Sequence, residues 1–356
     1  MSPVRLATLA GLALLAIAGA FWLSAQRSLP RDDGVGEALL PGLRGQLNGV
    51  QQLRIRSGGD STTLNREADA WTVLERGGYP ANVGEVRKLM FALAEANTIE
   101  AKTSDPTRYA SLGLTDPDQA GGDGIVIELD GLGTPMRVIA GKAGPVSPST
   151  YVRRGEELRS WLVDAVLRPT AEPRSWLNTR LIQIGSDRIR SVTVTDESGR
   201  TFGARRQDVE DQEFTVEGLR NGEQLSSPSV VLPVTTALSD LRMLDVAAGP
   251  GSEQSWPEQA RYHTFGGLVV ALEGRRTESG RFIRLKSASE SEQHEPPAQP
   301  AASDAEAVPA GTNAAASESA EINRRVQGWT YEVATHVYDL LFPRLETWLT
   351  NPDRHD

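Results

Sequence analysis

Carboxylates are the most numerous side chains in this sequence that could take part in acid–base chemistry. Its 356 residues include 47 aspartates and glutamates against 37 lysines and arginines. Two carboxyl groups that flank a glycosidic bond can hydrolyse it, one as the acid and the other as base or nucleophile. The pairs Glu156-Glu157 and Asp116/Asp118 instead flank predicted turns, where carboxylates usually face solvent. Spacing singles out no pair, so we assign no catalytic residue, and a cell-envelope hydrolase stays an alternative.

Consecutive arginines are predicted at strand ends. Two guanidinium groups can hold a phosphate or a carboxylate through bidentate hydrogen bonds. On an edge strand the same charges oppose sheet-to-sheet association, and we expect this second role more often than the first. The pairs are Arg153-Arg154, Arg205-Arg206, Arg275-Arg276 and Arg324-Arg325.

Metal-ligating patterns are missing from the sequence. It has no cysteine, and its four histidines, at positions 263, 294, 336 and 355, lie far apart. A zinc site usually draws on cysteine or histidine at short spacing. The acidic run 208–213 lacks the pattern of a calcium-binding loop, so we expect a solvated hairpin tip there. No metal and no cofactor is assigned.

Motifs for nucleophilic catalysis and phosphate binding are also missing. The sequence contains no Gly-x-Ser-x-Gly, no Ser-x-x-Lys and no Gly-x-x-x-x-Gly-Lys. A formal net charge of −10 argues against a broad basic face for nucleic acid or anionic lipid headgroups. We therefore predict a protein that is not an enzyme and has no nucleic-acid partner.

An internal repeat supplies the elements of the body, with copies at 44–180 and 185–349. Each copy opens with three segments of strand-like alternation and continues with a helix. In the first copy the helix is Val83–Asn97; in the second it begins near Pro233 and carries Val234, Leu238, Leu241 and Leu244 on one face. The strands are 50–56, 61–65 and 70–74 in the first copy, and 189–195, 201–205 and 213–216 in the second.

Each copy then returns to strands. A hairpin of 124–129 and 136–140 is matched in the second copy by one of 267–272 and 281–285. Tryptophans at the ends of elements are expected to seal the cores: Trp71, Trp161, Trp176, Trp329 and Trp348.

One segment of the second copy, 287–320, changes composition to Pro, Ala, Ser, Glu and Gln. Such a segment buries too little apolar surface to offset the entropy of ordering it. We predict a disordered insertion that lengthens one loop, at the place where the first copy has only 143–150.

The N-terminal residues predict a membrane anchor within 1–28. Leu6 to Ala25 carries no charge, and about twenty apolar residues suffice to cross a bilayer core as one helix. A cleaved export signal is the alternative, because Ala18-Gly19-Ala20 and Leu23-Ser24-Ala25 offer small-residue cleavage contexts. With an uncleaved anchor, the chain is a single-pass protein of the inner membrane with its body in the periplasm.

Several motifs between Trp71 and Pro117 together resemble a known family. They are Trp71-Thr-Val, Gly78-Tyr-Pro-Ala81, Tyr109-Ala-Ser-Leu-Gly-Leu114 and Asp116-Pro117. The sequence is similar to the bacterial domain-of-unknown-function family numbered 4340. The resemblance implies a membrane-tethered extracytoplasmic protein that accompanies gliding-type ABC transporter components, and it supplies no catalytic residues. Gly113 and Asp116-Pro117 are turn formers, and Tyr109 is expected to cap a core with its hydroxyl outward.

Together these observations predict an α+β protein with an N-terminal transmembrane helix and two related modules, each an antiparallel sheet with a helix. The expected function is that of a non-catalytic accessory protein of an ABC-type transport or gliding-related complex. Its partners would be the lipid bilayer, through 6–25, and the permease or ATPase subunits, which would supply any ATP hydrolysis. A free-standing envelope scaffold is a further alternative.

Overall fold

Two units make up the part of the chain that the structure, a computed structural model, describes: residues 34–68, 70–211, 213–249, 255–293 and 310–350. Described residues up to 72 and from 83 to 172 form the first unit. The second unit takes residues 73–82 together with those from 173 onward. Each unit is built on a large antiparallel sheet, which agrees with the predicted α+β class.

Alternating apolar and polar residues form the first sheet. Its nine strands have the spatial order β4-β3-β2-β1-β6-β7-β8-β9-β5. Apolar residues of neighbouring strands pair directly, as Leu53 does with Leu64 and Leu129, so one face of the sheet is continuously buried. The strands are β1 Gln52–Ser57, β2 Asp60–Glu67, β3 Ala70–Val73, β4 Tyr79–Pro80, β5 Thr98–Ala101, β6 Ile125–Asp130, β7 Met136–Ala143, β8 Thr150–Arg154 and β9 Ser160–Val163.

Three helices accompany this sheet: α1 Leu43–Gln46, α2 Val83–Glu95 and α3 Tyr109–Leu112. The predicted helix Val83–Asn97 is thereby confirmed and ends two residues early. Its buried residues recur at spacings of three and four, which gives α2 one apolar stripe. The buried residues are Val86, Leu89, Met90, Leu93 and Ala94.

The second unit contains an eight-stranded sheet of order β13-β12-β11-β16-β17-β18-β19-β15 and a small sheet of β10 and β14. The strands are β10 Arg180–Ile182, β11 Ile189–Thr195, β12 Thr201–Arg205, β13 Thr215–Glu217, β14 Leu241–Arg242, β15 Asp245–Ala248, β16 Glu258–Thr264, β17 Leu268–Arg276, β18 Arg281–Ser289 and β19 Trp329–Val333. The helices are α4 Leu232–Thr236, α5 Glu290–Gln293, α6 Ala310–Val326 and α7 Thr335–Leu341.

Strand order is the same in both large sheets, apart from β4. The first follows 3-2-1-6-7-8-9-5 and the second 13-12-11-16-17-18-19-15. The predicted hairpin of 267–272 and 281–285 exists as β17 and β18, but it takes the place of β7 and β8. The hairpin predicted as its counterpart, 124–129 with 136–140, exists as β6 and β7. By strand order, β6 and β7 correspond to β16 and β17. The sequence does not predict strand β16, because two of its buried positions, Glu258 and Thr264, are polar and weaken the apolar alternation.

The helix predicted from Pro233 to Leu244 was wrong beyond Thr236. The hydroxyls of Thr235 and Thr236 donate to the carbonyls of Leu232 and Pro233. Such side-chain bonds compete with the helical pattern, and β-branched residues are weak helix formers. Leu241 therefore lies in a short strand, and Leu244 is half exposed instead of buried.

The prediction of a disordered insertion at 287–320 was wrong at both ends. Strand β18 continues to Ser289, and α6 begins at Ala310; residues 294–309 lie outside the described residues. Helix α6 buries small side chains at Ala315 and Ser319, followed by Ile322 and Val326. The Asn323 amide donates to the Ser287 carbonyl at 2.8 Å and accepts from its N–H at 2.8 Å. The insertion follows β18, so it corresponds to the β8–β9 connection and not to 143–150.

Residues 73–82 were predicted to belong to the first module but group with the second unit. There the Tyr79 ring meets the Trp329 ring edge-on, with centroids 5.1 Å apart. Arg76 pairs with Asp245, Nε to Oδ1 at 2.6 Å. These aromatic and ionic contacts within the second unit account for its holding a piece of the first half of the chain.

No helix within the described ranges is long and apolar enough to cross a membrane. The predicted anchor, 6–25, lies outside those ranges. Four of the five tryptophans expected to seal cores are buried, namely Trp71, Trp161, Trp176 and Trp348; Trp329 is partly exposed.

Candidate functional site

The motif from Tyr109 to Pro117 shapes the loop that carries two carboxylates of the first unit. Tyr109 is buried, and its hydroxyl donates to the carbonyl of the exposed residue Leu158 at 2.5 Å. Leu114 packs in a cluster with Tyr109, Val126 and Ile139. Gly113 has φ 72°, and a Cβ there would lie 3.1 Å from the Lys142 backbone nitrogen. The loop is thus fixed on the sheet before Asp116 is reached.

A network of five side chains joins this loop to the sheet. Arg56 donates to Asp118 Oδ1 at 2.6 Å, and its Nη2 lies 3.4 Å from Glu128 Oε1. Arg137 Nε lies 3.3 Å from the same Glu128 oxygen and its Nη2 pairs with Asp116. We call Arg56, Asp116, Asp118, Glu128 and Arg137 the carboxylate–arginine network. Asp118 is 64% exposed, as expected for a carboxylate beside a turn. The Asp116 side chain is only 14% exposed, so the expectation that it faces solvent was wrong.

The electrostatics of this network favour the charged form of Asp116. Burial opposes the charged form of Asp116, but the backbone N–H of Asp118 and the Arg137 guanidinium outweigh it and lower the Asp116 pKa. The pKa of Arg56 is raised, chiefly by its hydrogen bond to Asp118. A general acid needs a pKa raised toward the working pH. The network therefore suits fixing the loop better than donating a proton.

The second unit holds a more deeply buried ionic cluster, formed by Glu258, Arg276 and Tyr338. Arg276 donates to the two Glu258 oxygens at 3.1 and 3.2 Å, and the Tyr338 hydroxyl donates to Oε2 at 2.5 Å. Burial raises the pKa of Tyr338, and the bond to Glu258 adds to this. Gly274 leaves room for Tyr338, because a Cβ there would lie 2.6 Å from its hydroxyl. The cluster ties β16, β17 and α7 together.

The arginine pairs do not lie on edge strands, so that prediction was wrong. The strands β8, β12 and β17 are interior, and Arg324-Arg325 lies on α6. Arg153 is buried and donates to the carbonyls of Gly155 and Glu157. Arg206 donates to five backbone carbonyls and lies between the rings of Phe214 and Phe265. These guanidinium groups hold loops and are not open to a ligand.

Metal ligands are not brought together among the described residues, where no group of three or more His, Cys, Asp or Glu could hold an ion. His263 Nδ1 lies 2.9 Å from Glu290 Oε1, which also pairs with Arg190. His336 lies on α7, and positions 294 and 355 fall outside the described ranges. Of the acidic run 208–213, the first four residues form an exposed turn between β12 and β13, as predicted.

A groove in the first unit differs from these clusters, because it is open and combines apolar side chains with arginines. It has a volume of about 250 Å³, and we call it the Phe91 groove. Trp71 and Met90 are buried at its floor, and Phe91 is 56% exposed. Its lining residues are Leu47, Asn48, Arg66, Trp71, Val83, Arg87, Met90 and Phe91.

A smaller cleft of about 180 Å³ lies in the second unit, between β18 and the turn before β19. Leu285, Val326 and Trp329 give it an apolar lining. Glu273 and Arg284 also line it, and they pair with each other at 2.7 Å. Its charged groups thus compensate one another in part.

Sequence reasoning missed both Glu258 and the Phe91 groove. Phe91 could have been found, because it is an aromatic residue of α2 next to the stripe Val86, Leu89, Met90 and Leu93 and not part of it. Glu258 gave no comparable signal, since its partners Arg276 and Tyr338 lie 18 and 80 positions away.

Comparison with known proteins finds one family. No curated protein and no solved structure matches the chain. The family described as a domain of unknown function, DUF4340, matches residues 71–260, which is more than half of the sequence. The matched range includes the motif at Tyr109–Pro117 and all of α2. The chain therefore belongs to the DUF4340 family.

Proposed function

We propose that this protein is a non-catalytic accessory subunit of an ABC-type transport or gliding-related complex. It would be anchored in the inner membrane by 6–25, with its body in the periplasm, and would bind partner subunits or exported substrate. The observation that carries the proposal is a contrast within the first unit. Its clustered carboxylates are bound by arginines, whereas the Phe91 groove exposes an aromatic ring and a cation.

This contrast bears on the hydrolase alternative. Two-carboxylate hydrolysis needs one group protonated near neutral pH, and the pKa of Asp116 is shifted the opposite way. Glu258, the other deeply placed carboxylate, accepts hydrogen bonds from Arg276 and Tyr338. In neither arrangement does a carboxylic acid face an open cleft.

We extend the proposal to the origin of the body: the two sheets are copies of one ancestral module. The shared strand order supports this, as does the position of β5 and β15 at the far edge of each sheet. Duplication would give one chain two surfaces of similar architecture, of which the first alone carries the Tyr109–Pro117 motif.

Affinity isolation of the full-length chain from native membranes in mild detergent tests the function. We expect transporter permease or ATPase subunits in the eluate at a constant ratio to the bait. Their absence under conditions that preserve a known membrane complex would contradict the proposal. A chain isolated with other envelope proteins alone would favour the free-standing scaffold.

A further inference from the structure

We propose that the Phe91 groove is the docking site for a partner peptide that carries a large apolar side chain flanked by carboxylates. This inference rests on the proposed function, because it names the surface and the chemistry of the partner contact. The groove lies along α2, whose residues Val83, Arg87, Met90 and Phe91 form one wall. The opposite wall comes from the turn at Leu47-Asn48 and from the β2–β3 hairpin, through Arg66 and Trp71.

The apolar side chains of the groove favour a partner that inserts an apolar side chain. Phe91 exposes more than half of its surface on a helix whose neighbouring stripe is buried. Burying such a ring against a partner contributes about 1.5–3 kcal/mol, which favours an apolar contact at this position. Trp71 and Met90 complete an apolar floor below the ring. Aromatic residues in such pockets are typical centres of protein–protein contacts.

The arginine side chains of the groove favour a partner that carries carboxylates. Arg87 makes no ion pair or hydrogen bond with any described residue, and no described lining residue is acidic. Arg66 is held in place by the carbonyls of Asn48 and Ala68 at 2.9 and 3.2 Å. In a chain of net charge −10, the Arg87 side chain, unpaired among the described residues, places a local positive charge beside the apolar side chains of the groove. Such a field selects acidic partners by charge complementarity.

Other occupants fit less well. A volume of about 250 Å³ is below the roughly 300–1,000 Å³ of small-molecule pockets. An anionic bilayer surface would be repelled by the net charge of the whole chain. A second copy carries the same net charge, which opposes its close approach. A short peptide carries only a few carboxylates, so it meets less of this repulsion, and it also supplies an apolar side chain.

The test measures binding of a short fluorescein-labelled peptide of alternating Glu and Leu pairs to the purified full-length chain. We expect binding that weakens with added salt and falls more than about tenfold with Arg87→Glu or Phe91→Ser. Peptides with Lys for Glu, or Ser for Leu, should not bind.

Two matched variants serve as controls. Lys88→Glu makes the same charge change one position along α2, outside the groove lining, and Leu158→Ser removes a leucine that is 59% exposed. Both should bind the acidic peptide like the wild type. Retention of peptide binding by Arg87→Glu and Phe91→Ser would overturn the inference, as would no binding by the wild type. Arg87-dependent binding to phosphatidylglycerol vesicles would overturn the inference and make the groove a lipid-binding site. Self-association abolished by Phe91→Ser would overturn it too and make the groove an interface between two copies.

Affinity isolation separates this inference from the proposed function. If the wild type binds the peptide but brings down no transporter subunit, the groove assignment stands and the proposed function fails. If the wild type and both groove variants bring down transporter subunits in equal yield, the function stands and the groove assignment fails.

Discussion

At the scale of single residues, arginines determine what the charged side chains of this protein can do. Arg56 and Arg137 each pair with more than one carboxylate, and Arg276 donates to both oxygens of Glu258. A carboxylate held by guanidinium groups stays ionised and fixed in position. Arg87 is the contrasting case, because its charge has no counterpart among the described residues. Structural and binding roles are thus distinguished by what each arginine contacts.

Removing Arg137 tests the structural role of the network. Arg137→Ala leaves Asp116 and Glu128 partly buried with a lost cationic partner, so we expect the free energy of unfolding to fall by about 1–3 kcal/mol. Urea denaturation measures the change. Arg44→Ala is the control, because Arg44 pairs with Glu95 at 3.0 Å but is 78% exposed, and this should cost less than about 0.5 kcal/mol. Equal effects of the two substitutions would show that the network contributes nothing special.

The lowered pKa of Asp116 predicts an acid-labile contribution to stability. An unfolded aspartate titrates near pH 3.9, and the folded-state pKa of Asp116 lies lower. Its contribution is therefore complete above about pH 4 and is lost as the pH falls through the folded-state pKa. We expect Asp116→Asn to flatten the fall in unfolding free energy below about pH 4, as measured by urea denaturation across that range. A wild type and variant with parallel pH profiles would refute the assigned ionisation.

At the scale of elements, α6 shows how a composition typical of disorder can still fold. Its exposed positions are Ala, Ser, Glu and Arg, but Ala315, Ser319, Ile322 and Val326 are buried on one face. Small side chains let a helix lie close against β18, where Asn323 and Ser287 share three hydrogen bonds. Only Ala315 and Ser319 of this face lie within 287–320, and neither is a large apolar residue, so the composition of that range did not reveal the helix.

Substitution of Ile322 tests this packing. Ile322→Ala should lower the unfolding free energy by about 2–4 kcal/mol, because it removes a buried side chain between α6 and the sheet. Glu321→Ala, at the adjacent exposed position, should change it by less than about 0.5 kcal/mol. Thermal melting of both variants provides the comparison. An unchanged melting temperature for Ile322→Ala would mean that α6 does not pack as described.

Strands and helix α2 were predictable because their burial follows local periods of two and 3.6 residues. The regular alternation in 50–56 and 189–195 became β1 and β11, and Val83–Asn97 became α2. The helix predicted from Pro233 to Leu244 was wrong beyond Thr236, because Thr235 and Thr236 form local hydrogen bonds that no periodic pattern reveals. Of the site, Asp116 and Asp118 were expected only as solvent-facing residues beside a turn, because their arginine partners lie 21 and 62 positions away. Contacts over such separations depend on strand order, which a single sequence does not state.

At the scale of the whole molecule, charge and architecture point to the same kind of role. A net charge of −10 opposes broad contact with anionic polymers and bilayers, so local positive features such as Arg87 gain selectivity. Two units with matching strand order offer two separate surfaces of similar design. Membership of the DUF4340 family is consistent with such a role and assigns no chemistry.

The location of the body is the claim on which the account most depends, and a pair of C-terminal reporter fusions tests it directly. Alkaline phosphatase requires an oxidising compartment for its disulfides, whereas green fluorescent protein exported in unfolded form does not mature. If 6–25 anchors the chain with its body in the periplasm, the phosphatase fusion will be active and the fluorescent fusion dark. A fluorescent fusion with an inactive phosphatase would place the body in the cytoplasm and contradict the account.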